Sequence, residues 1–207
     1  TQALSLNPLT AEPNAATSAL TASAATASID GYTTYNQVLY ALYDVNGSKL
    51  AVASAPTAGA TAIKIPASVT NNGITYPVKT IREYAFSNQK TLKTMDLSSA
   101  TNLLDIKEFA FSGCTALTTV TLPSASASKI RSLGKRAFYG CTALKSIDLS
   151  RFKNLTKIEA ETFYNCSSLT SIIASTATQS KLTSIGDSAF GYCKSLKNLD
   201  LTKFTAL

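Results

Sequence analysis

The stretch "AFSGCTAL" at residues 110–117 returns almost unchanged as "AFYGCTAL" at residues 137–144, 27 positions later. Similarity at a fixed period of about 20 to 50 residues is typical of repeat proteins, in which each repeat forms one structural unit. With the Phe of each copy as an anchor, the chain contains five copies at spacings of 25, 27, 25 and 27 residues. The anchors are Phe86, Phe111, Phe138, Phe163 and Phe190.

The same register extends on both sides of each anchor and gives the consensus L-x-x-I-x-x-x-A-F-x-x-C-x-x-L-x-x-I-x-L. Its I-x-L end alternates apolar and polar positions, which predicts a short strand that stacks in parallel on its neighbours. The segment A-F-x-x-C-x-x-L spaces its apolar residues by three, which predicts a turn of 3₁₀ or α helix on the opposite side. One repeat cannot cover its own apolar face, so the copies must stack around a shared core.

Composition divides the chain into three regions. Residues 1–30 contain 18 Ala, Ser or Thr residues, which predicts an N-terminal arm or linker. Residues 31–77 hold short apolar runs between turn residues and are predicted to form a β-rich N-terminal cap, with a hairpin over Asn46 and Gly47. Residues 78–207 hold the five repeats.

The motif I-x-x-x-A-F-x-x-C-x-x-L, which continues to "TVTLP" at Pro123 in the second copy, resembles the repeat of the BspA-like leucine-rich repeat surface proteins. The resemblance covers residues 78–207. It implies a right-handed solenoid on a bacterial surface or secreted protein, used in adhesion or contact with host proteins, and it carries no binding residue with it. The chain departs from the pattern at Gln89, Thr162 and Ala174.

The predicted fold class is therefore an α/β repeat solenoid preceded by a small β cap. We expect a right-handed leucine-rich repeat coil with short parallel strands on the concave face and short helical turns on the convex face.

Composition also argues against several classes of function. The chain contains no histidine, so neither a Ser-His-Asp triad nor a Cys-His pair can form, and its glycines make no phosphate-binding loop. The net charge of +7 arises from residues 81–207, but these bases are scattered without interleaved stacking aromatics, which favours a solvated surface over a nucleic-acid interface. No apolar run is long enough to span a membrane. We expect no catalytic residue and no cofactor.

Four cysteines occupy the same position in successive repeats: Cys114, Cys141, Cys166 and Cys193. One cysteine per stacked coil forms a column, so four sulfurs cannot converge on one zinc ion. Disulfides between neighbouring coils would satisfy the required Cα separation. Because the cysteines replace an apolar core residue, buried free thiols are favoured over disulfides.

The outward positions of the predicted strands, which are polar except for Ile173, form the candidate partner-binding concave face. These residues are Thr94, Asp96, Thr119, Thr121, Ser146, Asp148, Ser171, Ile173, Asn198 and Asp200. Aspartates in one column could suggest paired carboxylates for glycoside hydrolysis, but a flat face provides no cleft and no apolar pocket. A solvated face with loose Asp and Lys pairs is the simplest interpretation, and a ligand surface is the alternative. Tyr139, Tyr164 and Tyr192 follow their anchors and are either contact residues or packing residues between coils.

The polar strand positions and the missing catalytic signals predict a non-catalytic interaction module. The resemblance implies that this module is on a cell surface or secreted and binds a host or matrix protein. The alternative is a glycan-binding module for polysaccharide capture, which is disfavoured because the strand columns contain no aromatic platform. An enzyme is the third option. The sequence stops at the start of a further coil with no visible cap, so we expect either a truncated array or self-association through the uncapped C-terminal coil.

Overall fold

The structure is a computed structural model that describes residues 27–152, 154–173, 181–197 and 199. Most of the predicted arm and the C-terminal coil lie outside these ranges. The arm and the self-association through that coil therefore stay predictions. No helix among the described residues is long and apolar enough to cross a membrane.

Six strands form the N-terminal region of the described chain. They are β1 (Ala27–Tyr35), β2 (Val38–Val45), β3 (Ser48–Pro56), β4 (Ala62–Lys64), β5 (Ser68–Asn71) and β6 (Ile74–Ile81). β1, β2 and β3 make an antiparallel meander, while β6 runs parallel to β3 and antiparallel to β5. Between β2 and β3, Asn46 and Gly47 adopt φ values of 51° and 79°. A two-residue hairpin needs such left-handed residues, and the predicted hairpin is confirmed.

Eight shorter strands follow in the repeats. They are β7 (Thr94–Asp96), β8 (Asp105–Ile106), β9 (Thr119–Thr121), β10 (Ser132–Leu133), β11 (Ser146–Asp148), β12 (Lys157–Ile158), β13 (Ser171–Ile173) and β14 (Ser184–Ile185). All their pairings with one another are parallel. The result is a β-solenoid of stacked coils.

The strands lie in two columns. In the first column β4, β7 and β9 pair in one sheet and β11 and β13 in another, at the I-x-L positions where parallel strands were predicted. In the second column β8 and β10 continue from β6, and β12 pairs with β14. This second column was not predicted, because a strand of two residues is too short to show an alternating pattern.

The predicted helical turns are wrong. The segments around the anchors form successive hydrogen-bonded turns, and the only helix among the described residues is one 3₁₀ turn, Leu149–Arg151, directly after β11. The fold class is thus a β-solenoid and not an α/β solenoid.

The backbone hydrogen bonds around Phe111 explain this difference. The N–H groups of Phe109, Phe111 and Gly113 donate to carbonyls of the next coil at 2.7 to 3.1 Å. Phe109 and Gly113 also adopt left-handed conformations, with φ of 54° and 72°. A helix needs negative φ at every residue and keeps its N–H groups for its own carbonyls. Spacing apolar residues by three is equally compatible with these turns.

The anchors form the centre of the core. Phe86, Phe111, Phe138 and Phe163 are fully buried, and the fifth, Phe190, is partly buried. Successive rings stack nearly parallel with centroids 5.0 to 5.5 Å apart. Burial of a Phe side chain contributes roughly 1.5 to 3 kcal/mol, so the regular spacing of the anchors is explained by packing.

The cap and the repeats share one sheet. Ile81 of β6 lies opposite Ala53 of β3 and also opposite Ile106 of β8. All three residues belong to the same buried cluster as the anchors. The cap therefore covers the apolar end of the first coil, as a terminal unit of a repeat array must.

Candidate functional site

The predicted binding residues on β7, β9, β11 and β13 form one surface, named here the polar strand face. It comprises Thr94, Asp96, Thr119, Thr121, Ser146, Asp148, Ser171 and Ile173. All are exposed or half-exposed, because the residue in the middle of each strand points to the core. The other two predicted residues, Asn198 and Asp200, lie outside the described residues.

Parallel pairing brings these side chains into rows. Thr94 lies opposite Thr119, Asp96 opposite Thr121, Ser146 opposite Ser171 and Asp148 opposite Ile173. β9 and β11 belong to separate sheets, although Lys145 N–H donates to Thr118 O at 3.4 Å between them. The polar strand face therefore has two halves, one on β7 and β9 and one on β11 and β13.

Asp96 is engaged by its own chain. Its Oδ1 accepts a hydrogen bond from Ser98 N–H at 2.8 Å, and Lys64 Nζ lies 3.5 Å from its Oδ2. Partial burial raises the pKa of Asp96, but the hydrogen bonds from Ser98 and the charge of Lys64 outweigh it, and the pKa lies below its ordinary value. The carboxylate closes the turn after β7.

Asp148 has the equivalent role in the other half of the face, after β11. Its Oδ1 accepts from both N–H and Oγ of Ser150, and Arg151 Nε donates to its Oδ2 at 2.8 Å. Burial raises the pKa of Asp148, but the hydrogen bonds from Ser150 and Arg151 hold it below its ordinary value. Asp148 thereby caps the single 3₁₀ turn.

Unlike the aspartates, most hydroxyl groups of the polar strand face have no hydrogen-bond partner among the described residues. Within the described ranges, no hydrogen bond involves the side chains of Thr94, Thr121, Ser146 or Ser171. By contrast, Thr118 and Thr170 beside them donate to carbonyls of the preceding coil at 3.0 and 3.2 Å. The face thus presents free hydroxyls, while its aspartates are held by the protein itself.

A second surface lies on the turns around the anchors and is named here the turn ladder. It comprises Tyr84, Phe109, Arg136, Glu161, Tyr139, Tyr164 and Tyr192. Tyr84 stacks on Phe109 with centroids 4.7 Å apart, and Tyr139 stacks on Tyr164 at 5.2 Å. The two stacks are joined by Arg136, whose guanidinium lies 5.6 Å from the Phe109 centroid and 5.5 Å from that of Tyr139.

Arg136 also anchors the ladder electrostatically. Its Nε and Nη2 donate to the two carboxylate oxygens of Glu161 at 3.0 and 2.8 Å. The hydrogen bond from Arg136 lowers the pKa of Glu161. A bidentate pair of this kind fixes orientation as well as distance.

Only the three tyrosines after the anchors were singled out from the sequence. Tyr84, Phe109, Arg136 and Glu161 were missed, and all four stand two residues before an anchor. Their shared position two residues before an anchor was the available signal. It could not be interpreted from the sequence, because the sequence does not show that this position lies on a surface turn of each coil.

The cysteine column is a structural feature of the core. Cys114, Cys141, Cys166 and Cys193 are buried free thiols, as predicted. Each Sγ donates to an anchor carbonyl of the preceding coil at 2.9 to 3.2 Å. Burial raises the pKa of Cys114 to about 11 and that of Cys141 well above its ordinary value. The described residues contain no group of three or more side chains able to hold a metal ion.

Comparisons with known proteins agree with this architecture. Residues 66–197 match the family model described as the BspA type leucine rich repeat region, in six copies. A leucine rich cell surface protein from Faecalibacterium prausnitzii is 23% identical with a TM-score of 0.57, over 83% of this chain and 54% of that one. The chain thus spans about half the length of that protein. None of the curated proteins matches the chain.

Two further solved structures are more distant in shape. A leucine-rich repeat protein from Bacteroides capillosus is 24% identical with a TM-score of 0.47, over 76% of this chain and 99% of that one. A leucine-rich repeat protein from T. pallidum is 16% identical with a TM-score of 0.43, over 80% of this chain and 91% of that one.

Proposed function

We propose that this chain, which belongs to the BspA-type leucine-rich repeat family, is a non-catalytic module that binds another protein through its polar strand face. One observation carries the proposal. The free hydroxyls of Thr94, Thr121, Ser146 and Ser171 lie on two pairs of short strands at the surface of a packed core.

Such a surface suits protein recognition for a physical reason. Ser and Thr side chains have few rotatable bonds, so ordering them on binding costs less entropy than ordering Lys or Glu. Each hydroxyl can both donate and accept a hydrogen bond. Ile173, which is 50% exposed, adds an apolar contact at the edge of the same face.

The location that fits this role is the bacterial cell surface or the extracellular space. The support for this location is that the similar structure from Faecalibacterium prausnitzii carries the name of a leucine rich cell surface protein. We propose a host or matrix protein as the partner, and adhesion as the role. The scattered bases of the repeats give no reason to propose nucleic acid instead.

The proposal is tested by measuring capture of the purified chain on a panel of immobilised extracellular-matrix proteins. Thr121→Arg and Ser146→Arg place a large charged side chain in each half of the polar strand face. Thr115→Arg is the matched control, because Thr115 is also exposed but lies on the turn side of its coil. We expect the two face variants to bind at least about tenfold more weakly and the control to bind normally.

Circular dichroism spectra that match the wild type would show that the variants fold. Equal binding by all three variants would contradict the proposal, and so would failure of the wild-type chain to bind any protein of the panel.

A further inference from the structure

A pocket lies where the cap meets the first coil, away from the polar strand face. It has a volume of about 380 Å³, within the range of roughly 300 to 1,000 Å³ usual for small-molecule sites. Its walls come from the end of β3 and the turn after β6. The lining residues are Ser54, Ala55, Arg82, Glu83, Tyr84 and Ala85.

Tyr84 provides an aromatic face to this pocket. One side of its ring stacks on Phe109 at 4.7 Å with an interplanar angle of 9°. No described aromatic ring or cation covers the other side, and the residue is 53% exposed. The other tyrosine stack of the turn ladder differs. Tyr139 lies between Arg136 and Tyr164, and Tyr164 lies between Tyr139 and Tyr192. Tyr84 is thus the ladder ring with a face open at the cap junction.

The backbone holds Tyr84 in this position. Its φ of 57° is a left-handed conformation, which is rare for a bulky residue. The conformation is maintained because Tyr84 N–H donates to Glu108 O of the next coil at 3.1 Å. The ring is therefore oriented before any ligand arrives, which lowers the entropic cost of binding.

Two opposite charges line the pocket beside this ring. Among the described residues, the side chains of Arg82 and Glu83 form neither an ion pair nor a hydrogen bond. Elsewhere on the turns, Arg136 and Glu161 satisfy each other in a bidentate pair. At the pocket the chain thus keeps a strong donor and a strong acceptor available.

We propose that this pocket binds one ring of a neutral sugar. A pyranose presents a face of C–H groups that packs on an aromatic ring, and a rim of hydroxyls that both donate and accept. Tyr84 would contact the C–H face, Glu83 would accept from hydroxyl groups, and Arg82 would donate to hydroxyl oxygens.

The pair of opposite charges favours a neutral sugar over other ligands. Arg82 would attract an anionic sugar and Glu83 would repel it. Glu83 would attract a cationic ligand and Arg82 would repel it. A proline-rich peptide could pack on Tyr84 but would leave both charges unused. The pocket is separate from the polar strand face, so sugar binding at the pocket does not depend on protein binding at that face.

The test is an array of neutral oligosaccharides of glucose, galactose, mannose and N-acetylglucosamine, with sialylated and sulfated glycans and a proline-rich peptide as comparison probes. We expect the wild-type chain to bind at least one neutral glycan and none of the comparison probes. Tyr84→Ala, which removes the ring, and Glu83→Ala, which removes the acceptor, should each weaken that binding at least about tenfold. Tyr84→Phe, which keeps the ring, should retain it.

Tyr192→Ala is the matched control, because Tyr192 is also a highly exposed ladder tyrosine, 64% exposed, but lies at the far end of the repeats. It should bind like the wild type. Glu83→Ala keeps the test decisive if Tyr84→Ala fails to fold, because Glu83 is exposed. The proposal is overturned if no neutral glycan binds, if binding survives Glu83→Ala, or if only the peptide or the anionic glycans bind.

Discussion

The polar strand face and the turn ladder are built on the same coils but differ in almost every physical respect. On the strand side, parallel strands leave short hydroxyl side chains free and close their turns with Asp96 and Asp148. On the turn side, left-handed residues project large aromatic and charged side chains that stack on one another. The strand side thus leaves most of its side-chain hydroxyls free, whereas the side chains of the turn side contact one another.

This difference shows that exposure alone does not identify a binding surface. Every ladder residue contacts another ladder residue, so the ladder stabilises the stack of coils. Its first ring, Tyr84, also keeps one face open at the cap junction, next to the charged side chains of Arg82 and Glu83. Four measurements test this difference between the two sides.

The largest effect is expected at the core that both sides share. Phe138→Ala removes a fully buried ring that stacks on Phe111 at 5.0 Å and on Phe163 at 5.5 Å. We expect a loss of about 3 to 5 kcal/mol in the free energy of unfolding, measured by denaturant titration. A loss below about 1 kcal/mol would mean that the ring column is not the core of the array.

The second effect concerns the buried thiols and pH. Because burial raises the pKa of Cys114 to about 11, the folded chain keeps this proton in a pH range where the unfolded chain has lost it. The stabilisation is therefore complete below the unfolded pKa of about 8.5 and is lost as pH rises toward 11. Each such thiol should lower the free energy of unfolding by up to about 1.4 kcal/mol per pH unit.

The measurement is denaturant unfolding between about pH 8 and pH 11, with Cys141→Ala as the control. The variant should show a shallower decline, since it lacks one buried thiol. An identical pH dependence in both proteins would show that the thiols do not titrate as their burial requires.

A smaller effect is expected at Asp148 on the strand side. Asp148→Ala removes the acceptor of hydrogen bonds from Ser150 and Arg151, which should cost about 1 kcal/mol. The pKa of Asp148 is lowered in the folded chain, so its stabilisation is present above the unfolded pKa of about 3.9 and is lost as pH falls through the folded value. Thermal melts of both proteins at neutral and acidic pH would measure this, and the difference between them should shrink in acid.

The smallest effect on stability is expected at the free hydroxyls. Thr121→Ala and Ser146→Ala remove groups that contact no described residue through a hydrogen bond, so stability should change by less than about 0.5 kcal/mol. Under the proposed function the same variants should weaken capture by a matrix protein. A large loss of stability would instead assign the polar strand face a structural role.

The register of the repeat predicted the anchors, the cysteine column and the first strand column correctly, because a core position must recur at the same place in every coil. The hairpin at Asn46 and Gly47 was also predictable, because that dipeptide favours one turn type. The hydrogen bonds and ion pairs of Asp96 and Asp148 were not predictable. Their partners, Lys64 and Arg151, lie on a different strand and in a following turn. Lys93 and Lys145, three residues before the aspartates, form no ion pair with them.

The conformation of the turns was decided by the tertiary structure. An apolar spacing of three residues suits a helix or a series of turns, and the choice depends on whether the N–H groups find carbonyls inside the coil or on the next one. In this chain alternate N–H groups, such as that of Phe111, bond to the next coil. The repeat register was sufficient to predict which residues are buried and that the coils stack. Only the stacking determined where the backbone turns left-handed, and therefore which aromatic face and which charges meet at the cap.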